Sequence, residues 1–369
     1  MRKLLIISAD FTGHGHKSIA EALTERLRKY EDLQIRIVDG FDMMTDLQKL
    51  FAEKTYGPVT RLPGDTWKIS YAAGMRLRRP IQHVFAMAIK GKFESLLYEF
   101  KPDCILTVHP MFVGCILDLL EELELDIPFI SHEADLIDFA LQWIDSRISM
   151  TYAPSREAYE FTLEHGIPPE KVKQVGFPVR SRFMGLAREY VYEKDKQLTI
   201  TVMSGSEGAG ILQDVTRQLL KNTNAKVNVI CGRNKAMKVR LRKKYGYEYR
   251  ERLSVMGFVD RIQDVMCESD ILIMRASPNA VMEAVVLNKP VILFGQLAGQ
   301  ELRNPEMLEK HGLAVYCPDP QRLPEIIEKL IADEGAGIRQ MIECQKKYAY
   351  EDAAERTAKL INEFIQPSR

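Results

Sequence analysis

The sequence predicts two consecutive doubly wound, Rossmann-like α/β domains, each a parallel sheet covered by helices. Three observations predict this. Short apolar runs alternate with helical patterns along the whole chain, as they do where crossover helices join parallel strands. The alternation is interrupted by the charged, aliphatic-poor stretch Glu189–Gln197, after which a second series begins. A chain of 369 residues, 46% of them apolar, suits two domains with separate cores.

In the first series the run Lys3–Ser8 reads as a buried strand, because Ser8 and Asp10 cut it short of a signal peptide's apolar core. A helix over Lys17–Tyr30 follows, with Ile19, Ala22, Leu23 and Leu27 on one face. Further strands are expected at Gln34–Asp39, Cys104–Val108, Pro128–Ser131, Ile148–Ala153 and Val172–Val175. The second series predicts strands at Leu198–Met203, Lys226–Cys231, Ser254–Gly257, Ile271–Met274, Val291–Phe294 and Ala314–Tyr316. The final helical pattern, Ile338–Ile365, has two placements open: a cap on the second domain, or a return to the first. The expected domains are 1–188 and 198–344, with 345–369 as that C-terminal helix. Two such domains predict a ligand cleft where their strand carboxyl ends face each other.

Lys+Arg and Asp+Glu both number 51, so net charge points to no partner and argues against nucleic acid. The six cysteines lack C-x-x-C spacing, and several sit in strand-like runs as reduced, buried thiols. No apolar run approaches the ~20 residues that span a bilayer. The chain therefore reads as cytoplasmic. One segment suggests peripheral membrane attachment. Between Arg61 and Lys92, the basic residues Arg61, Lys68, Arg76, Arg78, Arg79, Lys90 and Lys92 stand against Asp65 alone. They are interleaved with Trp67, Phe85 and aliphatic residues, a composition suited to an anionic membrane surface. A core helix with a solvated basic face is the alternative.

Chemistry gathers at predicted strand ends. The first strand–helix turn carries Gly13, His14, Gly15 and His16, small residues that let backbone amides approach an anion or a sugar hydroxyl. A neutral imidazole there can take a proton from an acceptor hydroxyl, with His16 the candidate. A metal site using His14 and His16 is an alternative whose further ligands the sequence does not place. His109 ends the third strand, and His132 and Asp135 follow the fourth; Asp135 suits orienting a histidine or an acceptor hydroxyl. In the second domain, Gly205, Ser206, Glu207 and Gly208 form a strand–turn–helix cradle for an anion. Arg233, after another strand, suits clamping a phosphate, with a solvated surface arginine as the alternative. Ser277, Pro278 and Asn279 open a helix whose amides can hold a diphosphate, and Glu283 lies about a turn inside. Gln300 and Glu301 suit hydrogen bonds to sugar hydroxyls.

These residues resemble a known family, the monogalactosyldiacylglycerol synthases and processive diacylglycerol glucosyltransferases. These are related to the N-acetylglucosaminyltransferase of the cell-wall lipid precursor. The resemblance covers nearly the whole chain. In the first half it is carried by Thr12–Lys17, Thr107–Pro110, Gly166–Pro168 and Gly176–Arg180. In the second half it is carried by Gly205–Gly210, Cys231–Asn234, Gly257–Val259, Glu283-Ala284 and Gly299–Glu301. It implies a GT-B fold and an inverting transfer of a hexose from a UDP-sugar to diacylglycerol or a related lipid. By the same likeness His16 is the base and Phe258 joins the donor residues, while Gly15, His109 and His132 are expected at the acceptor from their places at strand ends. No cofactor or bound metal is implied. The chain departs from the family at Ser277, Asn279 and Ala280, at Arg275 where a lysine is usual, and at Ala140 where a histidine is frequent. The alternatives are a transferase or epimerase with a soluble substrate, or a non-catalytic nucleotide-sugar sensor.

Overall fold

The computed structural model describes residues 1–10, 14–45, 78–137, 139–193, 195–203, 211–295, 301–349 and 352–366; the side chains of His14 and Arg78 are also outside the description. Trp67, Arg76, Gly205, Ser206, Glu207, Gly208 and Gln300 lie outside the described residues. Twelve strands are present among those described, each overlapping a predicted one. The chain divides into two units. Unit 1 is residues 1–181 with 297–300 and 350–369, and unit 2 is residues 182–296 with 301–349.

In unit 1 the strands are β1 (Arg2–Ser8), β2 (Leu33–Asp39), β3 (Cys104–Thr107), β4 (Phe129–His132), β5 (Met150–Ala153) and β6 (Val172–Gln174). They form a parallel sheet in the order β2-β1-β3-β4-β5-β6. Leu4 to Ile7 are wholly buried, as expected where helices cover both faces of a strand. The covering helices include α1 (His14–Leu27), α2 (Arg78–Phe100), α3 (Met111–Glu122) and α4 (Arg156–Glu164).

Unit 2 holds β7 (Thr199–Met203), β8 (Lys226–Ile230), β9 (Leu253–Met256), β10 (Ile271–Arg275), β11 (Val291–Gly295) and β12 (Val315–Tyr316). Their order, β12-β11-β10-β7-β8-β9, is that of a dinucleotide-binding sheet. Its helices are α5 (Leu212–Asn222), α6 (Lys235–Tyr245), α7 (Ile262–Glu268), α8 (Pro278–Val286), α9 (Asn304–Lys310) and α10 (Leu323–Tyr348). α10 is broken at Ala332–Gly335, where Asp333, Glu334 and Gly335 all have positive φ.

The predicted tail helix is not continuous. It stops at Tyr348 and restarts as α11 (Ala353–Phe364), with Asp352 in a left-handed conformation as N-cap. α11 packs on α1 within unit 1, burying Ala354, Ala358 and Ile361. Arg26, whose side chain is 6% exposed, bonds Asp352 there, and Arg2 reaches the Asn362 carbonyl and side chain at 2.9 and 2.8 Å.

Candidate active site

Each sheet reverses its winding direction at one point, and ligands in open α/β sheets bind outside the strand carboxyl ends there. In unit 1 the reversal falls between β1 and β3, in unit 2 between β7 and β10.

At the first reversal His16, in the first turn of α1, meets His109, which follows β3. Their ring centroids are 4.3 Å apart. His16 Nδ1 lies 2.7 Å from the Val108 carbonyl oxygen. A carbonyl only accepts, so Nδ1 carries the proton and Nε2 presents a lone pair. His109 takes the opposite tautomer, since its Nδ1 accepts the Met111 amide at 3.2 Å. Desolvation lowers the His16 pKa to about 4, the Val108 bond opposing it only in part. Burial, then the neighbouring imidazole, holds His109 well below the ordinary histidine value. Both rings are neutral at pH 7, but His109 is buried whereas His16 is half-buried.

Aromatic packing fixes the pair. Phe41 stands edge-on to His109 at 5.7 Å, with Phe112 at 5.4 Å on another side. Gly40 makes this possible, because a Cβ there would fall 2.2 Å from Phe112 Cζ. Asp39, at the end of β2, accepts the amides of Asp10 and Phe41 at 2.9 and 2.8 Å, and Lys17 pairs with Asp10 at 2.6 Å. The sequence reading missed Asp39 and this aromatic support. The signal available was the position of Asp39 and Gly40 at a predicted strand end.

His132 and Asp135 occupy different surroundings. His132 is fully buried, with its Nδ1 donating to the Glu133 carbonyl at 2.7 Å and its ring 6.5 Å from that of Tyr152. Its pKa is lowered to about 4 by desolvation. Asp135 accepts the indole N–H of the buried Trp143 at 2.9 Å, so it anchors the loop after β4. Between them Glu133 is also fully buried, and desolvation pushes its carboxyl up to about 8. Its Oε1 lies 2.8 Å from the Thr162 hydroxyl oxygen, which is itself 2.9 Å from the Ala158 carbonyl. The single hydroxyl proton cannot serve both acceptors, whereas a protonated Glu133 satisfies both contacts.

In unit 2, Gly232 adopts φ +55°, a left-handed conformation suited to glycine, and turns the chain after β8 so that Arg233 lies 5.6 Å from the ring of exposed Phe258. A Cβ at Gly257 would stand 3.5 Å from Lys238 Nζ and 3.6 Å from the Gly232 oxygen, so the loops after β8 and β9 lie side by side. Beyond β10, Ser277 caps α8 in an extended conformation without a side-chain capping bond, and Pro278 takes the first helical position. Asn279 lies in the same turn, and Glu283 is buried. Arg275 pairs with buried Glu301 at 3.0 Å, and Asn304 donates to the Ala276 carbonyl at 2.9 Å. The turn leading into α8 is thus tied to the segment that supplies Glu301. Among the described residues no group of three or more His, Cys, Asp or Glu could hold a metal ion.

Of the basic segment, Lys90 bonds Glu122, and Lys92 donates to the Asp42 and Met44 carbonyls. Phe85 is half-buried and edge-on to Phe41, so it braces the aromatic cluster, while Arg79, Val84 and Met87 are exposed on α2.

Comparison with known proteins covers both units. Residues 16–179 match the monogalactosyldiacylglycerol synthase family, and residues 199–361 match the C-terminal domain of glycosyltransferase family 28. The monogalactosyldiacylglycerol synthase of Spinacia oleracea is 26% identical over 99% of this chain and 73% of that protein. The processive diacylglycerol beta-glucosyltransferase of Bacillus cytotoxicus is 24% identical over 90% of this chain and 86% of that protein. Among solved structures, MurG of Acinetobacter baumannii superposes with a TM-score of 0.66 at 15% identity, over 98% of this chain and all of that one. The UDP-GlcNAc 2-epimerase of Neisseria meningitidis gives 0.65 at 14% identity with the same coverage, so the fold itself is shared by both reaction classes.

Proposed function

Since the chain belongs to the glycosyltransferases that join a monogalactosyldiacylglycerol-synthase domain to a family 28 C-terminal domain, we propose that it transfers a hexose from a UDP-sugar to diacylglycerol with inversion. The observation that carries this reading is the tautomer of His16, whose Nε2 lone pair is presented at the reversal of the unit 1 sheet. In the reaction Nε2 takes the proton of the acceptor hydroxyl as its oxygen bonds the anomeric carbon. The bond from that carbon to the diphosphate oxygen breaks, and the electron pair leaves with UDP. The His109 imidazole and the Phe41–Phe112 packing hold the base in position.

On the donor side, the amides opening α8 and the guanidiniums of Arg233 and Arg275 face the diphosphate. Phe258 offers its exposed ring to the base, and Glu283, Glu301 and Gln300 accept sugar and ribose hydroxyls. Gly205–Gly208, outside the described residues, keep the anion-binding role expected from their sequence. Charge developing on the leaving diphosphate is met by these groups rather than by a bound metal. The lipid acceptor requires attachment to a membrane surface, which Val84 and Met87 beside Arg79 support.

The test is incubation with a series of UDP-hexoses and diacylglycerol in neutral detergent micelles, followed by mass spectrometry and NMR of the lipid product. A glycosyldiacylglycerol of inverted anomeric configuration is expected. A retained configuration, or consumption of UDP-sugar without a lipid product, would sink the proposal.

A further inference from the structure

Helix α6 carries an arrangement that neither the fold nor the donor site explains. Its sequence, KAMKVRLRKKY, holds six basic residues and no acidic one. Met237, Leu241 and Tyr245 bury one face. The opposite face exposes Lys235, Val239, Arg240 and Lys243, with Lys244 at its margin and Tyr247 just beyond. Val239 is 65% exposed and Tyr247 88%.

Helix physics does not favour this pattern. Cations in the last turn complement the macrodipole, which accounts for Lys243 and Lys244, but Lys235 lies at the positive end, where acids are preferred. Arg240 repels Lys243 and Lys244 at spacings of three and four residues. Other exposed cations of unit 2 find carboxylates at such spacings, as in Arg217–Asp214 and Lys329–Glu325; within α6 no such partner exists. The exposed Val239 adds a poor helix former where no core requires it. In a chain with no net charge, these cations are not a global property.

We infer that this outer face of α6 is a docking surface for an anionic phospholipid leaflet, a choice of partner that rests on the lipid acceptor proposed above. A cationic face with isolated apolar side chains is complementary to phosphodiester headgroups over a hydrocarbon boundary. The headgroups supply the counter-charge that the helix lacks, and Val239 and Tyr247 enter the interface. Lys235 opens α6 at the carboxyl edge of the same sheet that carries Arg233, so docking brings this edge to the surface where the acceptor resides.

The test compares the protein with the quadruple variant Lys235→Gln, Arg240→Gln, Lys243→Gln, Lys244→Gln. Both are sedimented with phosphatidylcholine vesicles with and without phosphatidylglycerol, at low and high salt. The unaltered protein should bind only the anionic vesicles and release on adding salt. The variant should lose at least about tenfold in affinity, since each basic residue near such a surface contributes severalfold. Equal sedimentation of protein and variant, equal binding to neutral vesicles, or retention on single-stranded RNA in place of vesicles would overturn the inference. Transfer to diacylglycerol in neutral micelles separates the two readings. If docking is right, the variant keeps the unaltered rate there. If neither protein transfers sugar in micelles, the proposed reaction fails, while vesicle binding still reports on α6.

Discussion

His16 combines a low pKa with a fixed tautomer, and each has a measurable consequence. Removing a general base usually costs 10²–10⁴-fold in turnover. His16→Ala should therefore lower kcat by that order while leaving the calorimetric affinity for UDP within about twofold of the parent. Equal losses in both would take the base role away. The ring is a base only when neutral, and desolvation lowers its pKa from 6.5 to about 4. Activity should thus persist as pH falls through 6.5, with the acid limb of kcat/KM approaching 4; a limb centred at or above 6.5 would contradict the desolvated site. Glu133 shifts the other way, from 4.5 to about 8. Between those values the folded state holds a proton that the unfolded state has released, so stability declines as pH rises across that window and then levels off. Glu133→Gln keeps the volume and the hydrogen-bonding capacity without the titration. Its urea-unfolding free energy should lose that decline and exceed the parent's above pH 8. A parent and variant with parallel pH profiles would show that Glu133 is ionised in the fold.

The secondary elements were the most legible part of the sequence, because strands buried on both faces must be runs such as Leu4–Ile7 or Ile271–Met274. Helix limits were less legible. α1 starts at His14, three residues before the periodic pattern, since the first turn uses glycine and histidine rather than an apolar face. The end of the helix at Tyr348 and its restart at Ala353 were hidden, because Ala349 is extended and Asp352 caps α11 from a left-handed conformation, neither of which sequence periodicity encodes. Strand ends located His16 and His109, yet spacing could not distinguish them from His132, whose ring is fully buried among core side chains. Glycine positions carry information of the same kind. At Gly40 a methyl group would meet the ring of Phe112 at 2.2 Å and press on the packing around His109. Gly40→Ala should cost roughly 1–3 kcal/mol in denaturant unfolding, the range for overpacking. It should lower kcat as well, by displacing His109 against His16. A variant with parental stability and turnover would mean that the turn does not shape the site.

Across the whole chain, unit 1 is built from both ends of the sequence, so its integrity depends on residues encoded after unit 2 is complete. The contact is more than apolar. Arg26 is almost fully buried and is held by Asp352, with Glu25 and Glu355 nearby, while Arg2 bonds Asn362. Removing 350–369 would leave the Arg26 guanidinium without Asp352 and Glu355, and uncovering a face of α1 would add to the loss. A guanidinium freed in this way is opened to water, so the larger cost is the uncovered apolar face, where burying one side chain such as Ile361 contributes about 1.5–3 kcal/mol. The truncated chain should therefore show one calorimetric transition shifted strongly downward, that of unit 1. The transition of unit 2, whose core of Ile200, Val202, Ile271 and Ile273 includes nothing beyond Ala349, should stay in place. UDP affinity, a property assigned here to unit 2, should likewise survive truncation, whereas sugar transfer should fall with the loss of unit 1. Asp352→Ala provides the milder version, removing the carboxylate but keeping α11, and should move the same transition by a fraction of that amount. If truncation lowered both transitions equally, or abolished UDP binding while sparing the unit 1 transition, the tail would belong to unit 2 and the role given to Arg26 would be wrong.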